Sequence, residues 1–216
     1  MTEPRSASRR LSEAEALRAL YIDFEGEKGK PPVLLGVHRR GQGGRPYVHV
    51  HILDAAFAPP PESSLTLRAS IENVVTRAEH GNRRIVSWSE HDLRVVRTLA
   101  EETPELVGRF EARYANALGV AEWWRNKLYG GGKPDPGRLA DYLALIDYAV
   151  PADAVGGDVG DVIRDIRSRR ERDLEPTEGQ RERWVRLVEH NRHDCVGMRR
   201  VCLQAMREIE ASDSGS

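Results

Sequence analysis

Cysteine is nearly missing from this chain: Cys195 and Cys202 are the only two in 216 residues. Seven positions apart in a segment of helical periodicity, they lie ~10 Å from each other, beyond the reach of a disulfide. A disulfide-framed secreted fold is excluded. Both cysteines read as small core side chains in a reducing compartment, so a cytoplasmic location is expected. Lysine is scarce too, at Lys28, Lys30, Lys127 and Lys133 among 33 basic residues. Arginine supplies the rest and suits bidentate phosphate contacts, but a genome's base composition gives the same bias and is the preferred explanation. A surplus of either charge is lacking: the formal net charge is −1, so nucleic-acid binding would come from local patches rather than a global field. No run is long and apolar enough to span a bilayer, and no membrane partner is expected. Residues 1–10 lack the apolar core of a secretory signal; 1–14 read as a disordered leader and 211–216 as a flexible tail. No internal repeat is visible. The intervening residues 15–210 are enough for one domain with a substantial core.

What is present starts with Leu17-Arg-Ala-Leu-Tyr-Ile-Asp-Phe-Glu-Gly26, an apolar run carrying two acids. As a strand it alternates faces. Leu20, Ile22 and Phe24 then point one way, and Tyr21, Asp23 and Glu25 the other. Adjacent carboxylates repel, and burying either without a partner is costly. No lysine or arginine is placed nearby on that face of the strand. A divalent cation, which prefers oxygen ligands, would remove the conflict. Two more apolar runs follow, Pro32-Val-Leu-Leu-Gly-Val-His38 and Tyr47-Val-His-Val-His-Ile-Leu53, with a turn-rich segment over 39–46. The three runs predict an antiparallel meander, ended by Pro59-Pro60-Pro61. Leu67, Ile71, Val74, Val75 and Ala78 fall at helical spacing, with a stop at Gly81-Asn82. Arg84-Ile-Val-Ser-Trp88 predicts a fourth strand running into a helix with Leu93, Val96 and Leu99. Residues 106–148 read as mostly helical with a break at 130–136, and a basic helix covers 161–172. A long helix over 177–210 carries the stripe Trp184, Leu187, Val188, Cys195, Met198, Val201, Cys202 and Ile209. This order predicts an α/β fold, a mixed sheet with helices packed on it.

Two further acids stand out by position. Asp92 opens the helix after the fourth strand, where capping and the helix dipole favour an acid; taken alone, that explains it. Asp194 sits on the inner edge of the long helix's apolar stripe, and an acid on a buried helix face needs a partner.

In the order D-x-E, D, D, the residues Asp23, Glu25, Asp92 and Asp194 resemble the DEDD superfamily of 3′–5′ exonucleases, which have an RNase H-like fold. The resemblance spans roughly 17–206. The segment Glu189-His-Asn-Arg-His-Asp-Cys-Val-Gly-Met198 is similar to the Tyr-Asn-x-x-Asp-Val pattern of the predicted RNase H-like nucleases associated with RecB-type proteins. His190 stands where that group has Tyr. Glu189 stands where other members of the superfamily have the His that orients the attacking water. Residues four apart share a helix face, so His190 still reaches the site of Asp194. The resemblance implies an RNase H-like mixed sheet with flanking helices and a hydrolase acting on phosphodiester bonds, a 3′–5′ exonuclease on single-stranded DNA or RNA. It implies two magnesium or manganese ions on Asp23 (the bridging ligand), Glu25, Asp92 and Asp194, with His190 as base, and a helicase or nuclease as partner protein. Two rival readings stand beside it: an endonuclease with the same metal site, and a catalytically inactive nucleic-acid-binding or scaffold module of the same fold.

Other features read as structural. His49 and His51 share a strand face but lack a third zinc ligand, so both are expected on a solvated face. His193, about 100° around the helix from Asp194, is expected to face solvent. Of Trp123 and Trp124, one is expected in the core and one at its edge, against the alternative of stacking bases. Arg164, Arg167, Arg169, Arg170 and Arg172 interleave with Asp161, Asp165 and Glu171, the pattern of a salt-bridged solvent face.

Overall fold

The computed structural model describes residues 11–40, 46–58, 64–130, 137–149, 151 and 159–214. The proline stretch at 59–61 and nearly all of the break at 130–136 lie outside them. Five strands, β1 (Leu20–Glu25), β2 (Leu34–Arg40), β3 (Pro46–Ile52), β4 (Ile85–Ser87) and β5 (Tyr114–Asn116), form one mixed sheet in the order β3-β2-β1-β4-β5. The meander is as expected, with β1–β2 and β2–β3 antiparallel. β4 pairs with β1, and β5 with β4, in parallel. The segment expected to be mostly helical contains β5, whose three residues are too few to show alternation.

Alternation on β1 sorts the two faces of the sheet. Leu20, Ile22 and Phe24 pack with Leu35 and Val37 under α2 (Leu67–His80), α3 (Glu90–Arg97) and α4 (Pro104–Glu111). On the other face, Tyr21 and Val86 meet α5 (Ala117–Tyr129), α6 (Leu139–Leu145) and α8 (Glu178–Ser214). α7 (Val159–Arg170) and a short 3-10 turn at Ala55–Phe57 close a third cluster against the first half of α8 through Phe57, Ile163, Ile166 and Leu187. At 37 residues, α8 is ~55 Å long. Its buried line Leu187, Asn191, Cys195, Met198, Cys202, Met206 and Ile209 follows three- and four-residue steps. No described helix is long and apolar enough to cross a membrane.

Three expectations change. Residues 11–14, assigned to the leader, belong to the fold. Leu11 is buried, and Ser12 caps α1 (Glu13–Arg18) by accepting from the Glu15 amide while the Glu15 carboxylate accepts from the Ser12 amide. Glu13 pairs with Arg207 of α8 at 2.6 Å. The predicted tail is helical through Ser214, and Asp213 pairs with Lys127. His51 is buried against Ser70 of α2 at 3.2 Å, because α2 covers that face; His49 alone is exposed. Burial pushes His51 down to about 4, so it is neutral at physiological pH. The expectations for the tryptophans, the basic helix and the cysteines hold. Trp124 is buried and Trp123 packs at the cluster's edge. Arg164 and Arg167 pair with Glu27, and Arg170 with Glu175. Both cysteines are free and buried.

Removing the α1 cap tests the corrected boundary. Ser12→Ala is expected to cost ~1 kcal/mol, the usual value of an N-cap. A chain of this size should then lose ~2–4 °C in thermal midpoint. An unchanged midpoint would return 11–14 to the leader.

Candidate metal centre

β1 and β4 run parallel from a shared start, Leu20 beside Ile85, and the chain's unusual acids gather at and beyond the carboxyl end of the shorter β4. Asp23 and Glu25 share the face of β1 that α8 covers, opposite Gly36 and Leu34 of β2. Asp92 lies in the first turn of α3, but the capping role belongs to Ser89, whose hydroxyl accepts from the His91 amide. The Asp92 carboxylate is buried and accepts from the Phe24 amide at 3.3 Å, which sets it against β1 between the two strand acids. From α8, Asp194 and His190 arrive one helical turn apart. His190 Nε2 lies 3.4 Å from Asp194 Oδ2 and 4.0 Å from Glu25 Oε1. One ligand atom each from Glu25, His190 and Asp194 fall within 4.8 Å of one another, close to the ~4 Å that opposite ligands of a magnesium ion span.

The electrostatics are those of carboxylates crowded together and turned from water. Burial raises Asp23 well above the usual carboxylate range, and the charges of Glu25, Asp92 and Asp194 add to it. Burial, then Asp194 and Asp92, push Glu25 up to about 8. Asp92 rises by burial to about 6, restrained by the Phe24 amide and the Ser87 hydroxyl. Asp194 also rises by burial, eased by the charges of His190 and His193. A bound divalent ion is the larger charge and would reverse the direction of all four shifts. The donor set, four carboxylates and one imidazole, fits such an ion.

Two residues that sequence reasoning left out of the site hold it in shape. Asn191 is fully buried, and its Nδ2 donates to the Asp23 carbonyl at 3.0 Å and to Asp23 Oδ2 at 2.8 Å. This fixes the carboxylate's rotamer, and the amide's Oδ1 is left without a hydrogen bond. The second is Gly36, the neighbour of Asp23 on β2. A Cβ there would stand 2.1 Å from Asn191 Oδ1 and 3.0 Å from Cys195 Sγ, so α8 reaches the strand only because the side chain is absent. The signals were an Asn on the buried stripe and a Gly inside a strand pattern, which marks close backbone approach. His193, expected in solvent, is half-buried with Nδ1 3.1 Å from the Tyr148 hydroxyl, because the chain after α6 folds over α8.

An apolar groove of about 630 Å³ lies beside β3, lined by Tyr47, Val50, Phe57, Trp184, Val185 and Val188 among others. It contains none of the four acids. Glu189 and Arg192 line it from the flank of α8 turned away from His190 and Asp194, so the helix separates the groove from the carboxylates. No protein-family model, no curated protein and no solved structure matches this chain.

Proposed function

We propose that this chain is a metal-dependent nuclease of RNase H-like architecture that removes nucleotides from the 3′ end of single-stranded DNA or RNA. The observation that carries this reading is the approach of Asp23, Glu25, Asp92 and Asp194, from one strand and two helices, close enough for their charges to act on one another, with Glu25, Asp194 and His190 within reach of one ion. Carboxylates with only a surface role would spread apart into water. Here burial and mutual repulsion destabilise their charged forms, a cost with no structural benefit in view. Magnesium or manganese, two ions in all, would be held by Asp23 and Glu25 from β1, Asp92 from α3 and Asp194 from α8. When bound, such ions stabilise charge on the attacking and leaving oxygens of a phosphodiester. The protein's own groups do the rest. Asn191 holds the Asp23 carboxylate in one orientation. His190 takes the proton of the attacking water at Nε2, and the Asp194 carboxylate 3.4 Å away balances the charge it gains.

The same contact supports the second reading. The His190 imidazole lies among the acids, 3.4 Å from Asp194 and 4.0 Å from Glu25, a polar partner that a non-catalytic nucleic-acid-binding module could keep without any metal. Cleavage separates the two. End-labelled single-stranded DNA and RNA are incubated with magnesium, manganese or EDTA. A ladder shortening from the 3′ end, abolished by EDTA and slowed ~100-fold or more by His190→Ala, is the expected result. Internal cuts with the same dependence would make the protein an endonuclease. Absence of cleavage on both substrates, with no manganese-induced rise in thermal midpoint, would overturn the nuclease reading.

A further inference from the structure

At the other pole of the sheet, where the mutually parallel strands β1, β4 and β5 begin, arginines collect. Arg18 ends α1 just ahead of β1, Arg83 and Arg84 precede β4, and Arg113 precedes β5. Because the three strands start side by side, all four arginines line one cavity of about 280 Å³, together with Glu15, Asn82 and Ala112. Backbone carbonyls accept from three of the four guanidinium groups. Arg84 donates to the Tyr114 carbonyl at 2.9 Å, Arg113 to the Arg83 carbonyl at 3.4 Å, and Arg18 to the Ala14 carbonyl at 3.2 Å. The nearby carboxylates are otherwise engaged. Glu15 accepts from the Ser12 amide and hydroxyl. Glu79, within electrostatic reach of Arg113, takes two hydrogen bonds from Arg109. Elsewhere on this surface an arginine such as Arg97 has its acid, Glu111, at 2.6 Å. Among the described residues, Arg18, Arg83 and Arg113 form no such pair.

Like charges held in one concavity repel, and an anion placed among them would relieve that repulsion. Guanidinium forks match the oxygens of a phosphate bidentately. The cavity is just below the usual range for drug-sized ligands, room for a phosphate with little else enclosed. We propose that this cavity is a phosphate-binding site, recognising the phosphate of a nucleic-acid backbone or of a free nucleotide. It lies at the start of β1, with Asp23 three residues (~10 Å) and Glu25 five residues (~17 Å) along the strand, so it grips a part of a ligand, or a second ligand, set apart from any reacting bond. The proposal stands whether or not the acidic cluster is catalytic.

The test uses the full chain in EDTA, so the carboxylates take no part. Pyrophosphate and a twelve-nucleotide oligothymidylate are titrated separately by calorimetry at low salt, against R83Q/R113Q, R18Q and, as a control surface change, R97Q. Arg18 is exposed, and among the described residues its one hydrogen bond is to Ala14 in its own helix turn, so R18Q leaves the packing of the fold intact. The expected result is binding of pyrophosphate weakened about 10-fold or more in R83Q/R113Q, less in R18Q, and unchanged in R97Q. Loss confined to the oligonucleotide would support the site and name the backbone as its source. No binding of either probe by the unaltered protein, or equal affinities in all variants, would overturn the proposal.

Discussion

Glu25→Gln is expected to raise the stability of the metal-free protein at neutral pH while removing its cleavage. Burial and the neighbouring acids hold Glu25 at about 8 in the folded chain, whereas an unfolded glutamate titrates near 4.3. Between these values the unfolded chain has released its proton and the folded chain has kept it, so the slope of stability with pH is negative. The stability is fully present below about 4.3 and is lost as pH rises through about 8. At pH 7 the loss is roughly 3.5–4 kcal/mol, taking 1.36 kcal/mol per unit. Gln has no proton to lose. Its thermal midpoint in EDTA should exceed that of the unaltered chain by roughly 5–10 °C at pH 7 and by little at pH 4.5. Manganese should reverse the order, adding about 2.7 kcal/mol to the unaltered protein at 100 times the dissociation constant and nothing comparable to the variant. Cleavage should fall ~10³-fold or more, equivalent to ~4 kcal/mol of barrier. Calorimetric scans at pH 4.5, 7 and 8, with EDTA or manganese, carry the test. A midpoint gap that does not change with pH would mean the carboxylates are not coupled as the geometry has them.

Gly36→Ala, a change of one methyl group, is expected to be as damaging. The new Cβ would stand 2.1 Å from Asn191 Oδ1 and 2.9 Å from its Cγ, in a fully buried place. Either Asn191 swings away and gives up both hydrogen bonds to Asp23, or α8 lifts off the sheet. Overpacking alone costs ~1–3 kcal/mol, and losing a hydrogen bond to a charged group adds ~1.5–3 kcal/mol. The sum, roughly 3–5 kcal/mol, corresponds to ~10 °C or more of thermal midpoint. A double variant, Gly36→Ala with Asn191→Ala, makes room for the methyl group. It should recover part of the stability but none of the cleavage, because Asp23 is then unheld. Additive losses in this cycle would show that the two residues act independently, against the contact described.

The parts of the fold legible in the sequence were those with strong periodicity. The alternation Leu20-Tyr-Ile-Asp-Phe-Glu25 assigned both faces of β1, and the structure places those side chains in two different clusters. The stripe along α8 was equally plain. β5 was not legible, because Tyr114-Ala-Asn116 is one short parallel pairing between helices, and its strand character comes from β4 rather than from its own pattern. His51 and His193 were misplaced for a related reason. Each is polar and was assigned to solvent, but α2 and Tyr148 cover them, and tertiary cover leaves no local trace. At the site, residue types with costly buried charge announced themselves, whereas the supports did not. Asn191 and Gly36 are ordinary residues whose importance lies in a contact between positions 155 apart in the chain.

α8 is packed in phase at both ends. Leu187 docks on the α7 side, Met206 and Ile209 dock on the α1 and α5 side, and Asn191 and Asp194 face the strands between them. One inserted or deleted residue turns everything beyond it by about 100°. Such a change between Leu187 and Met206 would pull one end out of its socket or turn the acid and amide from Asp23. The spacing within this helix is therefore as strict a constraint on the lineage as the identity of its residues: point substitutions on its outer face can accumulate, but changes of length cannot.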